Sequence, residues 1–377
     1  MTQPSPLPLP LDSWHRAHGG RMVGFAGYAL PVQYAPTGAL AERCRGGVLA
    51  EHRHCREAAA LFDVSHMGQA ILAGADAAAA LERLVPGDIA GLAPGRQRYT
   101  LLTNAAGGII DDLMVAKLAP DRLLLVVNAA NKAGDFAHIA AALPAGVSLA
   151  PLDGQALLAL QGPRAAAVLA RLSPEAAALP FLGIGRFRLH GAEALISRSG
   201  YTGEDGFELS IPADAAAPLA DALLAAPEVA PAGLGARDSL RLEAGLCLHG
   251  ADIDAETDAI AAGLAWTIGK RRREAWDFPG GPRLRETLQR GPARRRVGLR
   301  PEGRAPVRGG APILDPAGAV IGQVTSGLYS PSLEAPIAMG YVPAALAAPG
   351  GTVRLGLRGG TVPARVVPLP FVPHRYA

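Results

Sequence analysis

Two neighbouring aspartates offer the first chemistry. In residues 103–118, TNAAGGIIDDLMVAKL, a turn runs into a strand, and alternation places Ile109, Asp111, Leu113 and Val115 on one face, with Ile110, Asp112 and Met114 on the other. The two carboxyls therefore point apart, which excludes a dyad of these two sharing one proton. The acid between Ile110 and Met114, Asp112, loses solvation, and its pKa rises unless N–H donors or a cation compensate. A flat heterocycle with ring N–H groups would supply such donors. Pairing with arginines or capping of the turn are the other uses open to the pair.

A second candidate is SGYTGEDGFELSIP (199–212), read as strand, acidic turn and strand. Phe207, Leu209 and Ile211 alternate into a core, so Glu208 faces away with Ser210, near Tyr201 across the hairpin. A third is GLGARDSLRLEAGL (233–246), where Arg237 and Arg241 share a helix face and repel. Asp238 can offset that repulsion from within, and a bound carboxylate held by the arginine fork can do so from outside.

Other clusters carry less. His52 and His54 sit two apart on a helix and face different ways, which argues against a metal site with Cys55. His66 and Met67 in FDVSHMG follow a hydrophobic run and read as packed core. The basic run from Lys270 to Arg273 reads as a solvated face that could dock an acidic partner. GLGARD is not a GxGxxG, GLAWTIGKR does not fit a phosphate loop, and neither GxSxG nor HExxH occurs.

The elements that must position these groups follow from pattern. Strand-like segments occur at 69–74, 109–118, 122–129, 193–202 and 207–212, and helical ones at 136–142, 163–172, 214–226 and 235–245. They alternate without a fixed period, which points to an α+β architecture. The stretch 270–297 turns basic and Pro/Gly-punctuated, marking a domain boundary. Short alternating segments with Gly and Pro turns follow it, the signature of a small β-barrel or sandwich.

Composition bounds the rest. A chain of 377 residues, at roughly 150 per domain, holds two or three domains. A net charge of +3 is too small for a nucleic-acid binder. Cys44, Cys55 and Cys247 form no CxxC pair and no even framework, so a reducing compartment is expected. No apolar run reaches the ~20 residues of a bilayer span, and the opening segment has no leader pattern. Cytoplasmic localisation is the expectation, with no membrane partner.

In this order the segments resemble the aminomethyltransferase, or T-protein, family of the glycine cleavage system. The resemblance runs from HGGRMVGFAGYALPVQY through LFDVSHMGQ, GGIIDDLMV, LQGPRA, SRSGYTGEDGFELSIP, GLGARDSLRLEAGLCLHGADID, LAWTIGKRR and VTSGLYSPSLEAPIAMGYV to FVPHRY. It implies a three-domain cloverleaf around a central folate cavity. Two interleaved α+β domains with antiparallel sheets would occupy 1–270, a basic linker 271–292 and a C-terminal β-barrel domain 293–377.

The resemblance also implies roles. Asp112, the second aspartate of GGxxDD, is the catalytic residue. Glu208 is a pterin contact with Tyr201 beside it, and Arg237 is the arginine of GLxARD. Met67, Tyr99, Asn128 and Trp266 line the folate cavity, and Tyr376 approaches from the C-terminal domain. The implied reaction passes an aminomethyl-derived one-carbon unit from the lipoyl arm of H-protein to tetrahydrofolate, a co-substrate, with no metal. A tetrahydrofolate-dependent demethylase of a small methylated compound and a non-catalytic folate-binding module are the alternatives. The chain is about ten residues longer than is common for the family between Thr37 and Gly46.

Overall fold

The computed structural model describes residues 5–377, so the first four residues of the opening segment lie outside it. Its first sheet has six strands in the order Ile184–Leu189, Ala192–Arg198, Gly206–Pro212, Gln155–Gln161, Ala59–Asp63 and Val229–Pro231. All pairings are antiparallel except the last, where Val229–Pro231 runs parallel to Ala59–Asp63.

A second, five-stranded antiparallel sheet is inserted between two neighbours of the first. Its order is Arg96–Thr103, Ile109–Ala119, Arg122–Val127, Gly68–Ala73 and Ser148–Pro151. It leaves the chain after Asp63 and returns before Gln155, whose strands then pair with each other. The alternation read from the sequence holds in both sheets. Ile109, Asp111, Leu113 and Val115 are buried, while Ile110, Asp112 and Met114 are half-buried. Phe207, Leu209 and Ile211 enter the first sheet's core.

The third unit is a closed antiparallel barrel of Arg294–Pro301, Ala335–Pro343, Val320–Ser330, Pro312–Leu314, Thr352–Leu357 and Gly360–Val367. Closure leaves no strand edge, and Val297, Leu299, Ile313, Val324, Val353 and Val366 fill the interior.

Two stretches gain detail beyond the sequence reading. The basic stretch, expected as a helix remnant followed by a linker, carries helices Arg272–Ala275 and Gly281–Arg290. Its Trp276, Phe278 and Leu284 pack with Leu101 and Ile109, so apolar burial anchors it to the Asp112 strand. Between Thr37 and Gly46, helix Ala39–Arg43 is tied down by Arg43 Nη1, which donates to the carbonyls of Leu224 at 2.7 Å and Ala226 at 3.1 Å.

Candidate active site

The turn that launches the Asp112 strand is built by its own sequence. Asn104 Oδ1 accepts from the backbone N–H of Ala106 at 2.9 Å and of Gly108 at 3.0 Å. Gly107 takes φ +85°, and a Cβ on Gly108 would lie 1.8 Å from the Ala255 carbonyl oxygen. Only glycine lets that backbone approach so closely. The strand Ile109–Ala119 then pairs Leu101 with Asp112 and Leu113 with Val127.

This register fixes the partners of Asp112. Tyr99, diagonal to it, donates its phenol hydrogen to Asp112 Oδ2 at 2.9 Å. Asn128, just past the end of the adjacent strand, donates Nδ2 to Asp112 Oδ1 at 2.8 Å. Burial, the charge of Asp111 and these bonds together leave the Asp112 pKa raised to about 6, the upward causes prevailing. Burial and the Asp112 charge push the Tyr99 phenol well up, so it stays a donor. Trp266, largely exposed, stacks on Tyr99 at 5.4 Å between centroids.

Tyr201, Glu208 and Arg237 form a second group. The Arg237 guanidinium lies 5.0 Å over the Tyr201 ring. Tyr201 donates its phenol hydrogen to the Cys247 carbonyl. Glu208 accepts from Ser199 Oγ at 3.0 Å and, with Met114, lines a space between the two sheets. The two arginines of the helix Leu234–Glu243 part company. Arg241 is buried and donates to Asp238 at 2.8 Å and Asp252 at 2.6 Å, whereas Arg237 Nη1 is buried with no acceptor. The internal partner serves Arg241, and Arg237 is the arginine left for an external one.

The comparisons with known proteins bear on what this arrangement serves. A model described as the GCVT N-terminal domain matches residues 11–272, and one described as the glycine cleavage T-protein C-terminal barrel domain matches 294–373. The chain belongs to the glycine cleavage T-protein family. A mitochondrial aminomethyltransferase of Gallus gallus is 49% identical over 374 residues, covering 97% of this chain and 93% of that protein. The Homo sapiens counterpart is 46% identical over 375 residues, covering 97% and 90%. The crystal structure of the glycine cleavage system aminomethyltransferase T from Bartonella henselae matches with a TM-score of 0.92 at 44% identity, covering 99% of each chain.

The remaining residues singled out for this T-protein family member fall as follows. Met67 is partly buried against the cluster that includes Phe62, Val64 and Leu240, consistent with packing. Tyr376 stacks on Phe181 at 4.4 Å, and its charged neighbours are Arg56 and Glu204 instead of Asp112. His52 and His54 do diverge: His52 meets Ser239 and Glu243, and His54 meets the Glu228 carbonyl. The basic run is largely solvated: Lys270, Arg271 and Arg273 are exposed, and Arg272 is buried. Arg271 pairs with Glu82 and Asp88, Arg272 is buried against Asp277, and Arg273 is bonded to the carbonyls of Ile268 and Ala265.

Sequence reasoning named Asn128 but missed its hold on Asp111 and the groups beyond it. Asn128 also donates Nδ2 to Asp111 Oδ1 at 2.8 Å and its backbone N–H to Asp111 Oδ2 at 3.1 Å, so one residue ties both aspartates although their side chains leave opposite faces. Asn131 Nδ2 adds a bond to Asp111 Oδ1 at 2.9 Å, and His249 stands 3.8 Å from that oxygen. The available signal was the four-residue spacing of Asn131 and Asp135. It is visible only if the helix starts at Lys132, not at 136.

Proposed function

We propose that this chain transfers the aminomethyl-derived one-carbon unit from the lipoyl arm of H-protein to tetrahydrofolate. The products are 5,10-methylenetetrahydrofolate, ammonia and dihydrolipoyl H-protein. Family membership over the whole chain supports the reaction class, and one observation carries the residue assignment. That observation is a half-buried Asp112 gripped by Tyr99 and Asn128, with its pKa raised to about 6.

The residues present suit a reduced folate. Arg237 has a buried donor without an acceptor, Glu208 offers carboxylate oxygens, and Tyr201, Tyr99 and Trp266 offer ring faces. Bound there, tetrahydrofolate supplies the attacking nitrogen. Asp112 stabilises positive charge developing beside it, a role open to the ionised carboxylate and hence above about pH 6. Glu208, Tyr201 and Arg237 orient the pterin, while Met67, Tyr99, Asn128 and Trp266 complete the walls that hold a near-attack geometry. Tyr376, stacked on Phe181 beside Arg56 and Glu204, is given no folate contact in this reading.

Three units act together in this reading: 1–270 as two interleaved folate-binding domains, 271–292 as their basic connector and 293–377 as the barrel. We place the reaction in the cytoplasm, a reading supported by three buried, free cysteines. The deciding assay supplies tetrahydrofolate and aminomethylated H-protein. Methylene transfer with ammonia release is expected. Inertness, with methyl transfer from a small methylated compound, would overturn the reading.

A further inference from the structure

Behind the Asp112 site lies a third carboxyl that the proposed mechanism does not use. Asp135 belongs to the helix Lys132–Ala141, is 1% exposed, and touches the Asp111 carboxyl at hydrogen-bonding range. Its Oδ2 has no partner. Asp111 is wholly buried and already accepts three bonds, from the Asn128 amide, the Asn128 backbone and the Asn131 amide. Two buried carboxylates in contact repel, and Asp135 leaves its Oδ2 unsatisfied. One proton between them removes both penalties, as a carboxylic acid donates to a carboxylate.

The charges around the pair require that proton to reside there. Facing Asp135 from the strand are Asp111 and Asp112. His249, from the loop after the helix Leu234–Glu243, lies 3.8 Å from Asp111 Oδ1 and meets Asn131 Nδ2 at 2.9 Å. Lys132, on the same helix as Asp135, turns instead to the His66 carbonyl at 3.4 Å and to the Tyr28 ring. Among the described residues no lysine or arginine forms an ion pair with any of the three carboxyls.

We infer that Asp135 is a positioning residue for the transfer reaction: as a neutral acid it donates to Asp111, which holds Asn128, which in turn holds Asp112. The inference rests on the reading of Asp112 given above. Burial, the contact with Asp111 and the charges of Asp111 and Asp112 raise the Asp135 pKa to about 9, so the proton is present at neutral pH and leaves as pH rises through that value. A second negative charge beside Asp111 then disturbs the Asn128 anchor.

The test uses the full-length wild type with Asp135→Asn, Asp135→Ala and Asp112→Asn. The infrared difference spectrum, wild type minus Asp135→Asn, near neutral pH is expected to contain the carbonyl band of a protonated carboxyl. Its absence overturns the inference without reference to turnover. In kinetics, Asp135→Ala should lower kcat by roughly 10- to 100-fold with little change in KM for tetrahydrofolate, and Asp135→Asn, which retains a donor, should restore most of it. Wild type should lose kcat as pH rises through about 9, and Asp135→Asn should lack that limb. An Asn variant no better than Ala, or one keeping the alkaline limb, overturns the inference even if Ala does not fold. Undiminished turnover in Asp112→Asn would instead remove the reading of Asp112, leaving the infrared result to judge Asp135 alone.

Discussion

Around Glu243 the buried carboxylates meet guanidinium groups, whereas around Asp111 three carboxyls share amides and one imidazole. Glu243 accepts from Arg56 Nη2 at 2.8 Å, His52 Nε2 at 3.1 Å, Ser330 Oγ at 2.5 Å and Ser332 Oγ at 2.7 Å. Glu204 accepts from Arg56 at 2.7 Å and also from Arg375. These partners come from an N-terminal helix, the barrel and the C-terminal segment, so the cluster ties separate parts of the chain. The carboxyl cluster ties little and leaves Asp112 half-exposed. Paired charge serves cohesion here, and under-compensated charge marks the reactive place.

The contrast breaks first where it is most strained. Glu243→Ala takes from Arg56 one of its two carboxylate partners and from His52 its carboxylate, and about 3–5 kcal/mol of stability should be lost, read from the midpoint of urea unfolding. A shift under about 1 kcal/mol would show that the cluster is not cohesive. Asp112→Asn should cut turnover by ~10²-fold or more while leaving tetrahydrofolate affinity within about 1 kcal/mol. Steady-state kinetics beside calorimetric titration separate the two. Arg237→Ala should weaken folate binding by roughly tenfold, the loss of a charged hydrogen bond. An unchanged Kd would confine Arg237 to packing on Tyr201.

The pH response sharpens the comparison further. Burial raises the Glu243 pKa, but the bonds from His52, Ser330 and Ser332 and the charge of His52 outweigh it and lower it to about 2. Its contribution is therefore present above the unfolded value and lost as pH falls through about 2. Asp112 has the opposite sign. Its folded pKa of about 6 exceeds the ordinary 3.8, so its ionisation erodes stability as pH rises through that window. Asp112→Asn should accordingly be more stable than wild type at neutral pH, by on the order of 1 kcal/mol, and equally stable in acid. An unchanged Tm at neutral pH would mean the carboxylate carries no such burden. In wild type, kcat should fall below about pH 6, and the residual activity of Asp112→Asn should lack that limb.

Much of this was legible in the residues themselves. Alternation placed Asp111 and Asp112 on opposite faces and turned Glu208 away from Phe207, Leu209 and Ile211, because the period of a strand is set by its backbone. The barrel followed from short alternating segments with Gly and Pro turns. What sequence could not supply was contact between distant segments. Asp135 meets Asp111 only because one helix packs on the sheet, and the helix start set at 136 hid its relation to Asn131. Charge alone placed Lys270, Arg271 and Arg273 on a solvated face, but the burial of Arg272 and the partners Glu82, Asp88 and Asp277 depend on segments packed against it or on local geometry.

The end of the chain folds back onto its middle. The Val372 N–H donates to the Glu243 carbonyl at 3.0 Å, the Arg375 N–H donates to the Gly203 carbonyl at 2.8 Å, and the Arg375 side chain reaches Glu204. During synthesis these segments emerge after the rest, so the amino-terminal sheets stand on the ribosome with Glu204 short of one counterion. Their final consolidation is thus deferred until residues 372–375 are free to dock.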